Sequence, residues 1–269
     1  MTQKPFFELS AFLRALFLIF SAVVYTVLLG PPALVACILD RSGRWPSFFQ
    51  SLWVGWLLKT NRIHLHLEGL ENLDENQSYI LVCNHASILD IPGIISAAPF
   101  PVRFIAKKSL IWFPIFGWFL CAADHILVDR ERATSAFKNL KKASSLLQKG
   151  ISIIVFPEGT RSPDGEVKEF KRGAFLLPLR SKFPVIPVSV AGTYEMLPRQ
   201  GWCFWPGTMH IRMGASIPIG DLSPQELGDL PRRVRETILE NLSEGRTEQE
   251  LMGESRGGRP DDGTQESRC

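Results

Sequence analysis

A histidine and an aspartate lie five positions apart in the segment 84–90, whose sequence is Asn-His-Ala-Ser-Ile-Leu-Asp. Histidine titrates near neutral pH, so His85 can act as a general base. A carboxylate such as that of Asp90 can fix the imidazole tautomer and stabilise the imidazolium that forms. On a regular helix, residues five positions apart point about 140° away from each other. The segment must therefore contain a turn if these two side chains are to touch.

A second polar segment, 156–162, has the sequence Phe-Pro-Glu-Gly-Thr-Arg-Ser. Proline and glycine favour a turn, and the polar side chains crowd its surface. Arg161, beside hydroxyl groups and free backbone N–H groups, would make a good clamp for phosphate oxygens. A solvated loop tip is the alternative interpretation of the same residues.

Both polar segments directly follow apolar runs, at 79–83 and 151–156, that are typical of buried strands. Apolar residues at helical spacing predict helices over 133–149 and 224–242. The alternation of strands and helices predicts an α/β fold, with a mixed central sheet flanked by helices. Active sites in such folds lie beyond the carboxyl ends of strands, which is where both polar segments fall. Further strands are predicted at 63–67, 102–106, 126–128, 185–190 and 210–213.

Together, Asn-His-x4-Asp and Phe-Pro-Glu-Gly-Thr-Arg-Ser resemble the signature of the glycerolipid acyltransferase family. The similarity is greatest to the 1-acyl-sn-glycerol-3-phosphate acyltransferases, and it extends roughly from Leu67 to Ile219. Two weaker segments follow in the family order, at 126–130 and 185–188. The first of these often opens with glycine in the family, whereas this chain has Asp124 and His125 there.

The resemblance implies direct acyl transfer from a thioester, either acyl-CoA or acyl carrier protein, to the free hydroxyl of lysophosphatidic acid. His85, oriented by Asp90, would remove the hydroxyl proton, and the alkoxide would attack the thioester carbonyl. No acyl-enzyme, cofactor or metal is expected. The resemblance assigns substrate binding to eight residues: Arg130, Glu158, Gly159, Thr160, Arg161, Lys107, Lys171 and Pro187. The two arginines would bind the acceptor phosphate. The two lysines would contact that phosphate or the donor.

Three other functions remain open. Within the family, the acceptor could instead be another lyso-lipid, such as a lyso-ornithine lipid, although Arg161 fits a phosphate. A membrane-associated hydrolase would use His85 to activate water, but the chain lacks a Gly-x-Ser-x-Gly elbow. A non-catalytic lipid-binding protein is disfavoured by the intact motifs. Ser87 is disfavoured as a nucleophile because it lies at a motif position that the family leaves variable. His64 and His66 share a strand face as two metal ligands could, but no third ligand is evident, so an exposed polar face is the better interpretation.

The N-terminal segment from Ala11 to Leu39 is apolar apart from Arg14, and Pro31-Pro32 interrupts it. A bilayer-spanning helix needs about 20 apolar residues, and the part before the prolines falls a little short of that. Because adjacent prolines break a helix, we expect a membrane-embedded helical hairpin that turns at the proline pair, rather than a single span. A cleaved signal peptide and a buried core helix are the alternatives.

Aromatic residues recur at 109–121, where Trp112 and Trp118 follow Lys107 and Lys108. Such a segment is typical of the membrane headgroup boundary, and core packing would explain it equally well. Basic residues after the apolar segment favour an inner-membrane protein whose catalytic domain faces the cytoplasm, where thioester donors are found. These residues are Arg41, Arg44, Lys59 and Arg62.

Charge and cysteine content narrow the possible partners. The chain has 30 basic and 27 acidic residues, and no basic stripe of the kind that nucleic-acid binding requires. A net charge of +3 suits an anionic bilayer surface. The five cysteines form no Cys-x-x-Cys pair, so no zinc site is predicted. The predicted division is a membrane anchor at 1–62, an acyltransferase domain at 63–242 and a disordered polar tail at 243–269.

Overall fold

A computed structural model describes residues 4–40, 42–129 and 136–254 of this chain. All seven predicted strands are present, each within two residues of its predicted bounds. The strands are β1 (His64–Glu68), β2 (Ile80–Cys83), β3 (Val102–Lys107), β4 (Ile126–Val128), β5 (Ser152–Val155), β6 (Val185–Ala191) and β7 (Thr208–Met213). The helices are α1 (Lys4–Leu39), α2 (Arg44–Thr60), α3 (Asp90–Ala97), α4 (Phe116–Ala122), α5 (Ala136–Gln148), α6 (Leu176–Ser181), α7 (Thr193–Met196) and α8 (Pro224–Glu254).

The strands form one sheet in the order β1-β7-β6-β2-β5-β3-β4. Neighbouring strands are parallel except for β6 and β7, which are antiparallel. The predicted mixed α/β sheet is therefore confirmed. Because β6, β2 and β5 are adjacent and parallel, their carboxyl ends lie side by side at one edge of the sheet. This edge receives both polar segments.

Helices cover the two faces of the sheet, which explains why its central strands are apolar throughout. One face packs on α5 and α8 through a cluster that includes Val82, Leu147 and Val234. The other face packs on α3 and on the N-terminal helices in a second cluster, which joins Leu81 to Leu18, Val54, Leu57 and Ile94. Helices α1 and α2 therefore share a core with the domain that was predicted to begin at residue 63.

Helix α1 runs unbroken through Pro31 and Pro32, so the predicted turn at the proline pair is wrong. Each proline removes one N–H donor, but its fixed φ angle is helical. Packing against α2 also supports the helix. The Tyr25 and Thr60 hydroxyls lie 2.5 Å apart, and Trp53 Nε1 donates to Thr26 Oγ1 at 3.1 Å. A helical hairpin does form, but α1 and α2 are its arms and its turn follows Leu39.

Helix α1 leaves an apolar face exposed. Its segment Leu9–Leu39 is long and apolar enough to cross a membrane, and most of its surface is not covered by protein. Phe20 and Ile38 are exposed on it, and so are Trp112 and Trp118 of the aromatic segment. Exposed tryptophans favour the headgroup boundary over core packing for that segment. Together these surfaces indicate association with a membrane.

One helix boundary differs from its prediction, and another falls outside the described residues. Helix α8 continues to Glu254, so residues 243–254 are helical rather than the start of a disordered tail, and residues 255–269 lie outside the described part of the chain. Helix α5 is described from Ala136, and the predicted start at residue 133 falls in the undescribed segment 130–135.

A buried arginine joins the hairpin to the sheet. Arg103 on β3 is 1% exposed, and burial lowers the pKa of its guanidinium to about 10. It donates to Ser47 Oγ of α2 at 3.0 Å, and to the carbonyl oxygens of Gly43 and Ala123. The turn before α2, the first turn of α2 and the end of α4 are thereby fixed to one strand.

Substituting Arg103→Met should lower the free energy of unfolding by about 2–4 kcal/mol, because several buried acceptors would lose their donor. Denaturation in detergent, followed by tryptophan fluorescence, would measure it. Arg232→Met is the matched control, since Arg232 forms only exposed helix-surface ion pairs with Asp229 and Glu236. Equal stability of the two variants would show that Arg103 does not anchor the hairpin.

Candidate active site

The segment after β2 is fixed to the neighbouring strand β6 by Asn84. Its amide donates to the Val190 carbonyl oxygen at 2.9 Å and accepts from the Val190 N–H at 2.8 Å. The side chain thus substitutes for a pair of sheet hydrogen bonds where the strands separate. His85 follows at once, so its position is determined by the sheet rather than by a free loop.

His85 and Asp90 are in contact, and the chain between them makes the turn that the sequence required. Asp90 Oδ2 lies 2.8 Å from His85 Nδ1 and accepts the N–H groups of Ala86 and Ser87 at 2.9 Å each. Asp90 Oδ1 accepts the Thr193 hydroxyl at 2.6 Å, and the Asp90 side chain is fully buried. Because the carboxylate accepts a proton at Nδ1, the lone pair of His85 is left on Nε2.

The segment after β5 packs directly against His85. The Phe156 ring stacks on the imidazole, with ring centroids 4.0 Å apart. The backbone N–H of His85 donates to Glu158 Oε1 at 2.8 Å, and the Ser162 N–H donates to the His85 carbonyl oxygen at 2.7 Å. The two polar segments therefore form one unit across the ends of two adjacent strands.

Glu158 is a buried acid within this unit. It is 4% exposed, and burial raises the pKa of its carboxyl to about 7 despite two backbone N–H donors. Its second oxygen accepts the Lys168 N–H at 3.3 Å. Glu158 therefore holds the loop by hydrogen bonds, and its side chain is not among those that line the cleft.

A cleft of about 800 Å³ opens over His85. It is lined by five of the predicted residues, namely His85, Lys107, Gly159, Thr160 and Arg161. Lys171 covers Gly159, which has a φ of 77°, and a Cβ there would lie 2.9 Å from Lys171 Nζ. A side chain at position 159 would be strained and would displace that ammonium group.

Among the described residues, three predicted binding residues do not line the cleft, namely Glu158, Lys171 and Pro187. Pro187 lies inside β6, opposite Val82 of β2, and does not line the cavity, so the structure gives it a role in the sheet. Arg130 lies outside the described residues. Just before it, Asp124 has a φ of 67°, a left-handed conformation that aspartate tolerates where the family often has glycine.

Two further residues at the site were not predicted. Thr193 begins α7 and reaches Asp90 from the end of β6, a contact between positions that are distant in sequence. Arg199 lines the cleft and donates to the Arg161 carbonyl oxygen at 2.9 Å. Burial, and then the charge of Arg199, lower the pKa of Arg161. These two guanidinium groups repel each other beside an open cleft. A bound anion would reduce that repulsion.

The side chains considered as a nucleophile or as metal ligands have structural or surface roles instead. Ser87 is fully buried and its hydroxyl donates to the Leu197 carbonyl oxygen at 2.7 Å, so it is not presented to the cleft as a nucleophile. His66 Nε2 lies 3.1 Å from Glu68 Oε1 on the half-exposed strand β1. An exposed polar face explains His64 and His66 better than a metal site does.

Comparison with known proteins supports a family assignment for this chain. A sequence model of the family described as "Acyltransferase" matches residues 64–191. The chain is also 32% identical over 184 residues to the 1-acyl-sn-glycerol-3-phosphate acyltransferase of Pseudomonas aeruginosa, a match that covers 68% of this chain and 70% of that protein. The chain belongs to the acyltransferase family.

Other similar proteins carry the same name. The chain is 29% identical to the 1-acyl-sn-glycerol-3-phosphate acyltransferase of Cocos nucifera, over 72% of this chain and 62% of that protein. It is 31% identical to the human 1-acyl-sn-glycerol-3-phosphate acyltransferase alpha, over 66% and 63% respectively. These matches span less than two thirds of the two relatives. The crystal structure of the 1-acyl-sn-glycerophosphate (LPA) acyltransferase PlsC from Thermotoga maritima superposes with a TM-score of 0.77 at 29% identity, covering 89% of this chain and 97% of that one.

The buried Glu158 should make stability depend on pH. Its pKa in the folded chain, about 7, exceeds the ordinary value of 4.5, so the protonated acid favours folding. This contribution is complete below about pH 4.5 and is lost as the pH rises through about 7. Glutamine cannot lose a proton at this position, so Glu158→Gln should abolish that loss. The melting temperature of the variant, relative to that of the wild type, should therefore rise between pH 5 and pH 8. Glu169→Gln, at an exposed position, is the control, and parallel pH curves for wild type and Glu158→Gln would contradict the prediction.

Proposed function

We propose that this protein transfers an acyl group from a thioester to the free hydroxyl of 1-acyl-glycerol-3-phosphate and so forms phosphatidic acid. The observation that carries the proposal is the His85–Asp90 pair, with its Nδ1 contact of 2.8 Å, in a cleft that also contains Arg161. The names of the similar proteins support the same reaction and the same acceptor.

The base in this reaction would be His85 Nε2. It takes the proton of the acceptor hydroxyl as the oxygen forms a bond to the thioester carbonyl carbon. The carbon–sulfur bond then breaks, and the proton passes from the imidazolium to the departing thiolate. Asp90 stabilises the imidazolium between these steps, and Thr193 with two backbone N–H groups keeps the carboxylate in place. General-base help is sufficient for this chemistry, since thiolates are good leaving groups.

The acceptor phosphate would bind at Arg161 and Arg199. Both guanidinium groups line the cleft that contains His85, and Thr160 adds a hydroxyl beside them. Arginine suits a phosphate monoester because its planar donors match two phosphate oxygens at once. The resemblance adds Arg130 to this set. A lyso-ornithine lipid offers one carboxylate, whose charge its own ammonium group offsets, whereas a phosphate monoester can balance both guanidinium groups. Lysophosphatidic acid is therefore favoured over a lyso-ornithine lipid.

The donor would be acyl-CoA or acyl carrier protein, both of which carry phosphopantetheine. Lys107 lines the cleft and Lys171 lies over Gly159, and both are exposed. Ammonium groups at the rim of the cleft can contact donor phosphates without entering the reaction.

The hairpin would lie within the cytoplasmic leaflet of the inner membrane. Helix α1 has 36 residues and is about 54 Å long, against about 30 Å for the hydrocarbon core. The catalytic part of the chain contacts it near both ends. The Phe204 N–H donates to the Ala11 carbonyl oxygen at 3.2 Å, and Ile115 packs against Gly30. A helix held to the catalytic part of the chain at these two points is not free to cross the bilayer on its own. Arg44, Lys59 and Arg62 favour the cytoplasmic side.

Purified protein in detergent should convert lysophosphatidic acid and a labelled acyl thioester to phosphatidic acid, and His85→Ala should reduce turnover by about 10²–10⁴-fold. Acyl-CoA and acyl carrier protein are assayed in parallel, which identifies the donor. A monoacylglycerol and a lyso-ornithine lipid replace the acceptor in matched reactions. Normal turnover by His85→Ala would exclude it as the base, and faster use of lyso-ornithine lipid would replace the proposed acceptor.

The leaflet placement predicts that both ends of the chain lie on the cytoplasmic side. Epitopes fused to the two termini should resist protease added to spheroplasts and should be digested in inverted membrane vesicles. A single span would instead place the N-terminal epitope outside, where protease would remove it from intact spheroplasts. The C-terminal epitope serves as the internal control in the same samples.

A further inference from the structure

Positive charge is concentrated in two segments of the chain. Residues 136–150 and 170–184 together contain eight lysines and arginines and no aspartate or glutamate. The whole chain has 30 basic and 27 acidic residues, so the remainder has 22 basic and 27 acidic residues and a net charge of −5. The eight are Lys138, Lys141, Lys142, Lys149, Lys171, Arg172, Arg180 and Lys182. The small positive charge of the whole chain therefore conceals a strongly basic region on a slightly acidic background.

The two segments are separate in sequence and meet in the fold at the mouth of the cleft. The first forms α5, and the second forms α6 together with the 3₁₀ turn Arg172–Phe175 that precedes it. Both segments contribute to the wall of the cleft that contains His85. The Arg180 guanidinium lies over the Phe137 ring, 5.8 Å from its centroid, and so connects the two helices. We call the outer side of these elements the cleft-mouth surface.

Exposed cations lie beside exposed apolar side chains on this surface. Phe137 is 68% exposed, and Leu176 and Leu179 are 46% and 37% exposed. The exposed cations are Lys138, Lys141, Lys171, Arg172 and Arg180. Within the described ranges, none of these five cations forms an ion pair with a carboxylate. Aromatic residues and arginine are enriched in protein interfaces, so this combination favours a binding surface over a merely solvated face.

Most of these cations lie outside the cleft itself. Arg180 lines the cleft, whereas the other four exposed cations do not. Small molecules bind in concave sites, so a nucleotide held in the cleft would leave the outer cations without a partner. A macromolecule can cover the mouth of the cleft and the outer surface at the same time. The distribution of charge therefore favours a protein partner over a small donor.

The cleft-mouth surface lies across the sheet from the N-terminal hairpin. Ala143 of α5 and Leu177 of α6 belong to the cluster on one face of the sheet. Leu18 of α1 and Val54 of α2 belong to the cluster on the other face. The surface is therefore on the side of the sheet away from the membrane-facing helix, where a water-soluble partner can reach it. This position disfavours lipid headgroups as the binding partner.

We propose that the cleft-mouth surface docks acyl carrier protein, with acidic side chains of that protein against the lysines and arginines. The acyl-phosphopantetheine arm then enters the cleft past Phe137 and Arg180, which line it together with His85. Positive charge at the mouth raises the local concentration of an acidic donor and its rate of association. This inference rests on the proposed function and decides between its two donors.

Reversing two outer charges should impair transfer from the carrier protein selectively. The double variant Lys138→Glu/Lys141→Glu should lower kcat/KM for palmitoyl-acyl carrier protein by about 10–100-fold, because electrostatic steering raises association rates by about 10–10³-fold. The loss should shrink as salt is added, since salt screens exposed charges. The value for palmitoyl-CoA should fall much less, because neither lysine lines the cleft. Arg232→Glu/Arg233→Glu, at exposed positions on α8 and with the same change of charge, is the matched control.

A binding measurement separates this inference from the proposed reaction. Fluorescently labelled holo-acyl carrier protein should bind the full-length His85→Ala variant in detergent, and the two lysine reversals should weaken that binding by a similar factor. Leu179→Ser should also weaken it without a change of charge, because Leu179 is an exposed apolar side chain outside the cleft.

Three results would overturn the docking surface. They are an equal fall in kcat/KM with both donors, carrier-protein binding that the lysine reversals leave unchanged, and no carrier-protein binding at all. If the reversals instead weaken binding only to vesicles of anionic phospholipid, the surface belongs to the membrane and the inference is wrong. Carrier-protein binding at this surface without phosphatidic acid formation by the wild type would refute the proposed reaction while keeping the docking surface.

Discussion

The Asp90 carboxylate is the interaction on which the catalytic geometry depends. Its two oxygens accept the Nδ1 proton of His85, two backbone N–H groups of the same turn and the hydroxyl of Thr193. These donors come from the ends of two adjacent parallel strands, β2 and β6. A buried carboxylate is costly unless hydrogen bonds satisfy it, so the turn and both strand ends are held in the arrangement that supplies the donors. The imidazole orientation follows from that requirement.

The third strand end, from β5, completes the site by a different physical means. Glu158 and Ser162 bind the backbone of His85 rather than its ring, and Phe156 stacks on the ring face. One segment thus supports the base from below and presents Thr160 and Arg161 to the cleft above. Glu158 bonds to the backbone of His85 and Arg161 faces the cleft, which explains why the glutamate is buried while the arginine is not. It also brings a proton acceptor and an anion-binding group to the same cleft.

Much of this arrangement could be predicted because it is encoded locally. Apolar runs gave the strands, and the polar segments that follow two of them gave His85, Asp90 and the Glu158–Arg161 turn. Thr193 and Arg199 could not be found this way, since their contacts depend on which strands are neighbours. The proline pair was misjudged because packing against α2 outweighs the local preference for a break. Hydrophobic patterning also could not show that α1 and α2 share a core with the sheet, because it marks a membrane-facing surface but not what the opposite face of the same helix covers.

The shared core has a consequence for how this protein can be handled and how it can evolve. Leu18, Val54 and Leu57 are almost wholly buried against side chains of the sheet and α3. Deleting the first 62 residues to obtain a soluble fragment would expose that side of the core to water and remove two hydrogen-bond partners of Arg103, Gly43 and Ser47. The hairpin is therefore not an interchangeable tether, and its sequence must change in concert with the enzyme that it supports.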